Sequence, residues 1–390
     1  SFKSLLPLVQ EDVDKVRSKE NPQVVIVVAH TSMGKGDGQN LERQGLDLFN
    51  SLKGVDVLVT GHDHSTKVLK TDSTVLLDCG RAGQYACLAD IKLVVRGGKV
   101  ISRSLSGEVE SFGSENYDTA MEEAFKSDYE KVRDFNASHV GEVKKDLVSR
   151  EFYYRQCDYM NFLHALAFSA WPVDISLSAT LLIDGMVPAG EVRYQDIRKI
   201  YPYDNKLVVL RLTGAEILRY LEASYDAWIS TVPGPAEGSH VLRITQTKDY
   251  ATGGMKWKLA KSPANFDSAA GIRYTVDVTK PYGSRVTVSG MADGSPFEMD
   301  KDYSVAITSY RSTGSGGLMK AAGLMDARSV EDRIIYRGPE FRTILYRYLK
   351  KHGSIDPAVV GDPNVVGSWR FVPDFAPEAI KADVELIYGK

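Results

Sequence analysis

Val55-Asp-Val-Leu-Val-Thr-Gly-His-Asp-His64 is the stretch on which the reading of this chain turns. Four apolar residues between positions 55 and 59, interrupted by one Asp, predict a short buried strand. Gly61 is expected to let the backbone turn sharply, and two imidazoles, His62 and His64, follow at once. Loops at the carboxyl ends of buried strands are where open α/β sheets place ligands, so paired histidines there point to a metal site rather than to packing. Gln23-Val-Val-Ile-Val-Val-Ala-His30 is a second continuous apolar run, and it too stops on a histidine. A single histidine is more often a hydrogen-bonded structural residue than a ligand. Three of the seven, closing two neighbouring strands, reverse those odds and place His30, His62 and His64 at one sheet edge.

Composition narrows the function classes. At 390 residues the chain is long for one core, so two domains are expected. Hydrophobic content of 43%, charged content of 25% and a net charge of -3 describe an ordinary globular protein. No basic stripe suits a nucleic-acid polymer, and no apolar run is long enough to span a bilayer. Cys79, Cys87 and Cys157 are odd in number, widely spaced and without Cys-x-x-Cys spacing. They read as buried thiols, with neither a disulfide framework nor a zinc knuckle. The chain opens at Ser1 inside an apparent helix, so the lack of a leader carries no information about export.

In chain order, residues 4–17 carry Leu5, Leu6, Val9, Val13 and Val16 at helical spacing, a helix that should cover one sheet face. Gly34, Gly36 and Gly38 lie in a polar loop at 31–40, but no helix-opening Lys-Ser/Thr follows, which makes the loop a flexible rim rather than a phosphate loop. A helix at 41–52, a strand at 74–78 and a hairpin of 86–95 with 99–105 around Gly97-Gly98 complete half of an α/β sandwich. Residues 117–135 put Met121, Phe125 and Tyr129 on one face of a long polar helix whose heptads do not continue into a coiled coil. Beyond it the composition turns to mixed α+β with many aromatics. Helices are expected at 155–170 and 215–225, and strands at 173–177, 272–278 and 306–308. His164 reads as structural and Phe266 as core; the tail 354–390, with Trp369, Phe371, Pro373 and Phe375, reads as a strap.

Ala29-His30 and Gly61-His62-Asp63-His64, with a helix between them, resemble the last two metal-binding blocks of the calcineurin-like metallophosphoesterases, in the branch of the 5'-nucleotidases and 2',3'-cyclic-nucleotide phosphodiesterases. The resemblance implies two divalent ions (Mn, Zn, Fe, Mg or Co) with His30, His62 and His64 among their ligands. It also implies in-line attack on phosphorus by a metal-held hydroxide. Ligation needs neutral imidazole, so such a site weakens below about pH 6. The family's remaining ligand motifs, Asp-x-His, a bridging Asp and Gly-Asn-His-Asp/Glu, do not occur before His30. The expectation is therefore the C-terminal half of a metallophosphoesterase domain at 1–115, a linker helix at 116–135 and a second domain at 136–390. The N-terminal half of the first domain and the catalytic residues would lie upstream, leaving the chain catalytically incomplete.

Three blocks resemble the C-terminal 5'-nucleotidase domain, and the match runs over most of 140–350. They are Tyr201-Pro-Tyr-Asp-Asn-Lys-Leu-Val-Val-Leu-Arg-Leu-Thr-Gly-Ala-Glu216, Asn265-Phe-Asp-Ser-Ala-Ala-Gly-Ile-Arg-Tyr-Thr-Val-Asp-Val-Thr-Lys-Pro281 and Ser309-Tyr-Arg-Ser-Thr-Gly-Ser-Gly-Gly317. In that domain two aromatic side chains sandwich a nucleobase; by position they are Tyr203 and Tyr310, with Asn205 on the base edge. Loop tyrosines also serve as half-buried packing residues. Arg311 reads either as a ribose or phosphate anchor or as a surface salt bridge. Where 5'-nucleotidases carry Asn-Gly-Gly-Gly-x-Arg this chain has Ser176-Leu-Ser-Ala-Thr180, and Gly316 stands where they place an Asp. These departures resemble the 2',3'-cyclic-nucleotide 2'-phosphodiesterase/3'-nucleotidase branch. The implied protein is a periplasmic, secreted or cell-surface hydrolase of nucleotides. The alternatives are a 5'-nucleotidase, another phosphate, nucleotide-sugar or thiosulfate hydrolase of the family, and a nucleotide-binding module without turnover.

Overall fold

The computed structural model describes residues 3–113, 118–236, 238–249, 253–325, 327–356 and 364–389. The chain is mixed α/β and packs as two units, Ser1–Lys126 and Ser127–Lys390.

In the first unit, helix α1 (Leu5–Glu20) precedes strand β1 (Ile26–Ala29), helix α2 (Gly45–Ser51) and strands β2 (Val57–Thr60), β3 (Thr66–Lys70) and β4 (Val75–Cys79). These strands form a sheet in the order β1-β2-β4-β3, parallel except for β3. The helical spacing read in α1 is used as expected, since Leu5, Leu6 and Val9 pack with Leu48, Leu58 and Leu76 on one sheet face. Val57, Val75 and Leu77 line the opposite face against Cys87 and Ile91 of the long hairpin β5 (Tyr85–Arg96) and β6 (Lys99–Ser111). Asp56, the charge inside the apolar run 55–59, is an internal anchor. Its buried carboxylate accepts from Arg17 at 2.7 Å and from the Val25 amide at 2.8 Å, and pairs with Arg103.

Several expectations change here. The apolar run ending at His30 is not buried throughout: β1 is the sheet edge, and Ile26 and Val28 on its open side are 56% and 78% exposed. Nor does Gly61 take the turn. The positive φ angles fall on His62 (91°) and His64 (54°), a conformation uncommon for residues with a side chain. Strand β3 escaped the sequence because Thr-Lys-Val-Leu-Lys has neither a long apolar run nor a clean alternation. Cys79 and Cys87 are not thiols but a disulfide, with Cα atoms 5.5 Å apart. The turn between β4 and β5 folds the chain back on itself, which a spacing of eight does not reveal. Cys157 is the buried free cysteine.

The long helix α3 (Thr119–Asn136) buries none of its residues, and Met121, Phe125 and Tyr129 on its apolar face are all exposed. The expected first turn at Tyr117 lies outside the described residues.

The second unit is built on a five-stranded sheet whose order is Asp267–Ala270, Ile175–Ala179, Asp302–Thr308, Lys206–Thr213 and Ile334–Glu340. The Ile175 and Asp302 strands run parallel, and the Asp267 and Lys206 strands run against them. Consequently the carboxyl ends at Ala179 and Thr308 share one sheet edge with the strand starts at Asp267 and Lys206. Helix Asp158–Ala170, within the expected 155–170, packs Met160, Leu163, Leu166 and Ala167 into the core, with His164 and Phe266 buried. Trp228 stacks on Phe266 with centroids 5.3 Å apart. Helix Gly214–Trp228 opens with a capping box in which Thr213 and Glu216 each accept the other's backbone amide. The tail is a strap as read: Trp369–Val372 adds a parallel strand beside Ile272–Asp277, and helix Ala376–Tyr388 buries Ile380 and Val384. Within that tail, 357–363 and 390 lie outside the described residues.

Candidate functional site

Two clusters of polar side chains sit at strand ends, one in each unit. In the first, parallel pairing of β1 with β2 brings the residues after them together, as the two apolar runs implied. His30 Nε2 and His62 Nδ1 are 3.3 Å apart, with ring centroids at 5.2 Å and planes near perpendicular. That separation is a hydrogen-bonding distance between the two rings, and it is also roughly the 3.3 Å between two nitrogens bound at about 2.0–2.1 Å to one tetrahedral ion. His64 is exposed, and no contact joins it to the other two. Among the described residues no group of three or more His, Cys, Asp or Glu side chains is placed to hold a metal ion.

Asp63, between the two histidines, orients their loop by accepting the Met33 amide at 2.7 Å. That bond holds its carboxyl below the usual carboxylate range. Asp78, opposite Thr60 at the same sheet edge, is fully buried, and burial pushes its carboxyl pKa up. Nothing in the sequence marked Asp78, because it closes an apolar run without a motif.

In the second unit, a cavity of about 190 Å³ opens at the sheet edge where four strand termini meet. Tyr203 and Asn205 enter it from the turn before Lys206, and Tyr310 and Arg311 from the short helix Ser309–Ser312 after Thr308. Leu177, Ser178 and Ala179, from the Ser176–Thr180 stretch that replaces a glycine-rich loop in this sequence, form another wall. All four residues selected from sequence for substrate contact therefore line one cavity.

Local chemistry fixes each. Arg342 braces the Tyr203 turn, donating to the carbonyls of Tyr201 (3.0 Å) and Pro202 and pairing with Asp204. Tyr201 stacks flat on Phe341 at 5.1 Å beneath that turn. Burial raises the Tyr201 hydroxyl pKa, with the Asn205 side chain acting in the opposite sense. Ser309 Oγ accepts the Lys206 amide at 2.9 Å, which ties the two aromatic loops together. Tyr203 and Tyr310 remain 47% and 43% exposed, so each offers a ring face to a ligand.

Arg311 is not the surface salt bridge of one of its sequence readings. It is 3% exposed, not on the surface, and its guanidinium forks onto Asp267, itself 1% exposed, at 3.0 and 2.5 Å. Tyr220 donates to the same carboxylate at 2.5 Å. The Asp267 pairing raises the Arg311 pKa despite burial. Asp267 lies inside a quoted block, and its only signal in the sequence was a lone charge directly after Phe266. His164 bridges Ser176 (3.0 Å) and Ser268 (3.2 Å) below, and burial lowers its pKa to about 4.

The 5'-nucleotidase C-terminal domain family matches residues 139–323. The trifunctional nucleotide phosphoesterase YfkN of Bacillus subtilis is 22% identical over 89% of this chain, which spans 25% of that protein. A Salmonella typhimurium 2',3'-cyclic-nucleotide 2'-phosphodiesterase/3'-nucleotidase is 22% identical over 97% of the chain, which spans 63% of that relative's length. Among solved structures, a Staphylococcus aureus protein provisionally assigned as a 5'-nucleotidase superposes with a TM-score of 0.58 at 16% identity, covering 95% of this chain and 68% of its own. Residues 139–323 thus match the 5'-nucleotidase C-terminal domain family, and over most of its length the chain is similar to nucleotide phosphoesterases, among them a 2',3'-cyclic-nucleotide 2'-phosphodiesterase/3'-nucleotidase.

Proposed function

We propose that this chain is the nucleotide-recognition part, with a share of the metal site, of a hydrolase acting on 2',3'-cyclic and 3'-nucleotides. The observation that carries the reading is the convergence of Tyr203, Asn205 and Tyr310 on one cavity at one sheet edge. Two exposed ring faces bind any base by stacking, worth about 1 to 3 kcal/mol per base, while an amide can hydrogen-bond the base edge. The names of the curated relatives support a nucleotide phosphoester as substrate. Absence of a glycine-rich loop with arginine beside the cavity, together with Gly316, favours the cyclic and 3'-nucleotide branch over a 5'-nucleotidase.

His30, His62 and His64 would contribute to a divalent metal centre completed by carboxylate and further ligands not grouped with them here. Such ions, when bound, supply the hydroxide and neutralise charge on the phosphoryl oxygens. This chain's own contribution is to hold the base, orient the ribose phosphate and exclude water from the ring faces. An oxidising compartment suits the Cys79–Cys87 disulfide, and so the periplasm or cell surface is the proposed location. No described helix is long and apolar enough to cross a membrane.

The test is phosphate release from 2',3'-cyclic AMP, 3'-AMP and 5'-AMP, with and without manganese or zinc. The expected result is adenosine binding without turnover by this chain, and a preference for the first two substrates wherever the ligand set is complete. Preference for 5'-AMP would overturn the branch. A chain that binds no nucleoside but cleaves sugar phosphates or thiosulfate esters would overturn the substrate class.

A further inference from the structure

A guanidinium lining a nucleotide cavity is ordinarily read as a phosphate anchor, but Arg311 has no donor left to give. Of its five N–H groups, two meet the Asp267 carboxylate, one Asn265 Oδ1 at 3.0 Å, one the Ser315 carbonyl at 3.2 Å and one the Ala264 carbonyl. Those acceptors belong to three separate pieces of chain: the turn Pro263–Asn265, the start of strand Asp267–Ala270, and the turn after helix Ser309–Ser312. The same guanidinium lies 5.4 Å from the centre of the Tyr310 ring, at cation–π range.

Gly316 supplies an independent observation. Its φ is +76°, and a Cβ built there would fall on Asn265 Oδ1 and Arg311 Nη1. A side chain at 316 and the Asn265–Arg311 bond cannot occupy the same space. The glycine where 5'-nucleotidases carry a carboxylate is therefore the other half of the Arg311 contacts, not merely a lost ligand.

Resting on the nucleoside-binding reading of the cavity, we infer that Arg311, Asn265 and Gly316 form a brace that fixes the Tyr310 wall, with Arg311 a positioning residue that touches no part of the substrate. The brace sets how well a planar base fits and is indifferent to the phosphate. Arg311→Lys keeps the charge but loses the fork, and Gly316→Ala pushes the brace apart from the other side.

Calorimetric titration of adenosine and 3'-AMP into the wild type, Arg311→Lys and Gly316→Ala tests this. Each variant is expected to weaken both ligands by the same factor, about tenfold, within the range one stacked ring contributes. A loss confined to 3'-AMP in Arg311→Lys would make Arg311 a phosphate ligand and overturn the brace. Unchanged affinity in both variants would do the same. Amide hydrogen exchange keeps the two readings apart if the wild type binds no nucleoside. Faster exchange at 263–267 and 313–317 in either variant, with the rest of the unit unaltered, sustains the brace without the nucleoside reading; unaltered exchange there refutes it.

Discussion

Replacing Tyr203 by alanine removes a ring that is 47% exposed and whose hydroxyl makes no hydrogen bond among the described residues. Folding stability should therefore change by no more than about 0.5 kcal/mol, as for other surface substitutions. Affinity for adenosine should fall much more. One base–ring stack is worth about 1 to 3 kcal/mol, so the dissociation constant should rise by roughly 5- to 160-fold. Tyr310→Ala should weaken binding by a similar factor but cost more stability, because that ring also covers the Arg311 guanidinium, a contact worth about 0.5 to 1 kcal/mol. Tyr203→Phe should stay within about twofold of wild type, since stacking needs the ring and not the hydroxyl. The assay is calorimetric titration with adenosine beside urea denaturation of each variant. If both alanine variants bound adenosine as the wild type does, the aromatic slot would not be the binding site. A loss of affinity matched by an equal loss of stability in Tyr203→Ala would implicate unfolding instead of stacking.

Other consequences can be measured with less effort. Thiol titration should find no reactive group in the folded protein and one in urea without reductant, since Cys79 and Cys87 are joined and burial pushes the Cys157 thiol up to about 12; three groups would refute the disulfide. Reducing that bridge should destabilise the first unit by about 2.5 kcal/mol, from the entropy of closing a short loop. His164 stays neutral in the fold down to about pH 4, whereas an unfolded histidine protonates near 6.5. Stability attached to this depressed pKa is complete above the unfolded value and is lost as pH falls toward the folded one. Between about pH 6.5 and 4.5, His164→Gln should therefore lose about 2.5 kcal/mol less than wild type in urea denaturation; equal losses would show that another group dominates. Equilibrium dialysis with zinc or manganese should give weak, substoichiometric uptake that vanishes in His30→Ala with His62→Ala, and tight stoichiometric uptake would reveal ligands not grouped here.

The sequence was most informative where chemistry and periodicity coincide. Apolar spacing placed α1 and the helix carrying His164, and histidines closing two parallel strands predicted the His30–His62 approach that β1–β2 pairing delivers. Tyr203 and Tyr310, more than a hundred positions apart, could be united only through resemblance, because no local pattern encodes which strands of the second unit share an edge. What was not legible depends on tertiary neighbours. The exposure of Val28 follows from β1 lying at the sheet edge, and Cys79 meets Cys87 because the chain reverses between two strands. The surface salt-bridge reading of Arg311 failed because its partner, Asp267, lies 44 positions away on a buried strand. The left-handed turn fell on His62 and His64 although Gly61 was the residue best suited to it.

A crystal structure of this chain with adenosine tests the central claim most directly. The account predicts the base in the cavity at the edge of the second unit's sheet, its faces against Tyr203 and Tyr310, its edge at Asn205, and Arg311 still bound to Asp267 and Asn265. A base bound elsewhere, or an Arg311 that leaves Asp267 to meet the ligand, would contradict it.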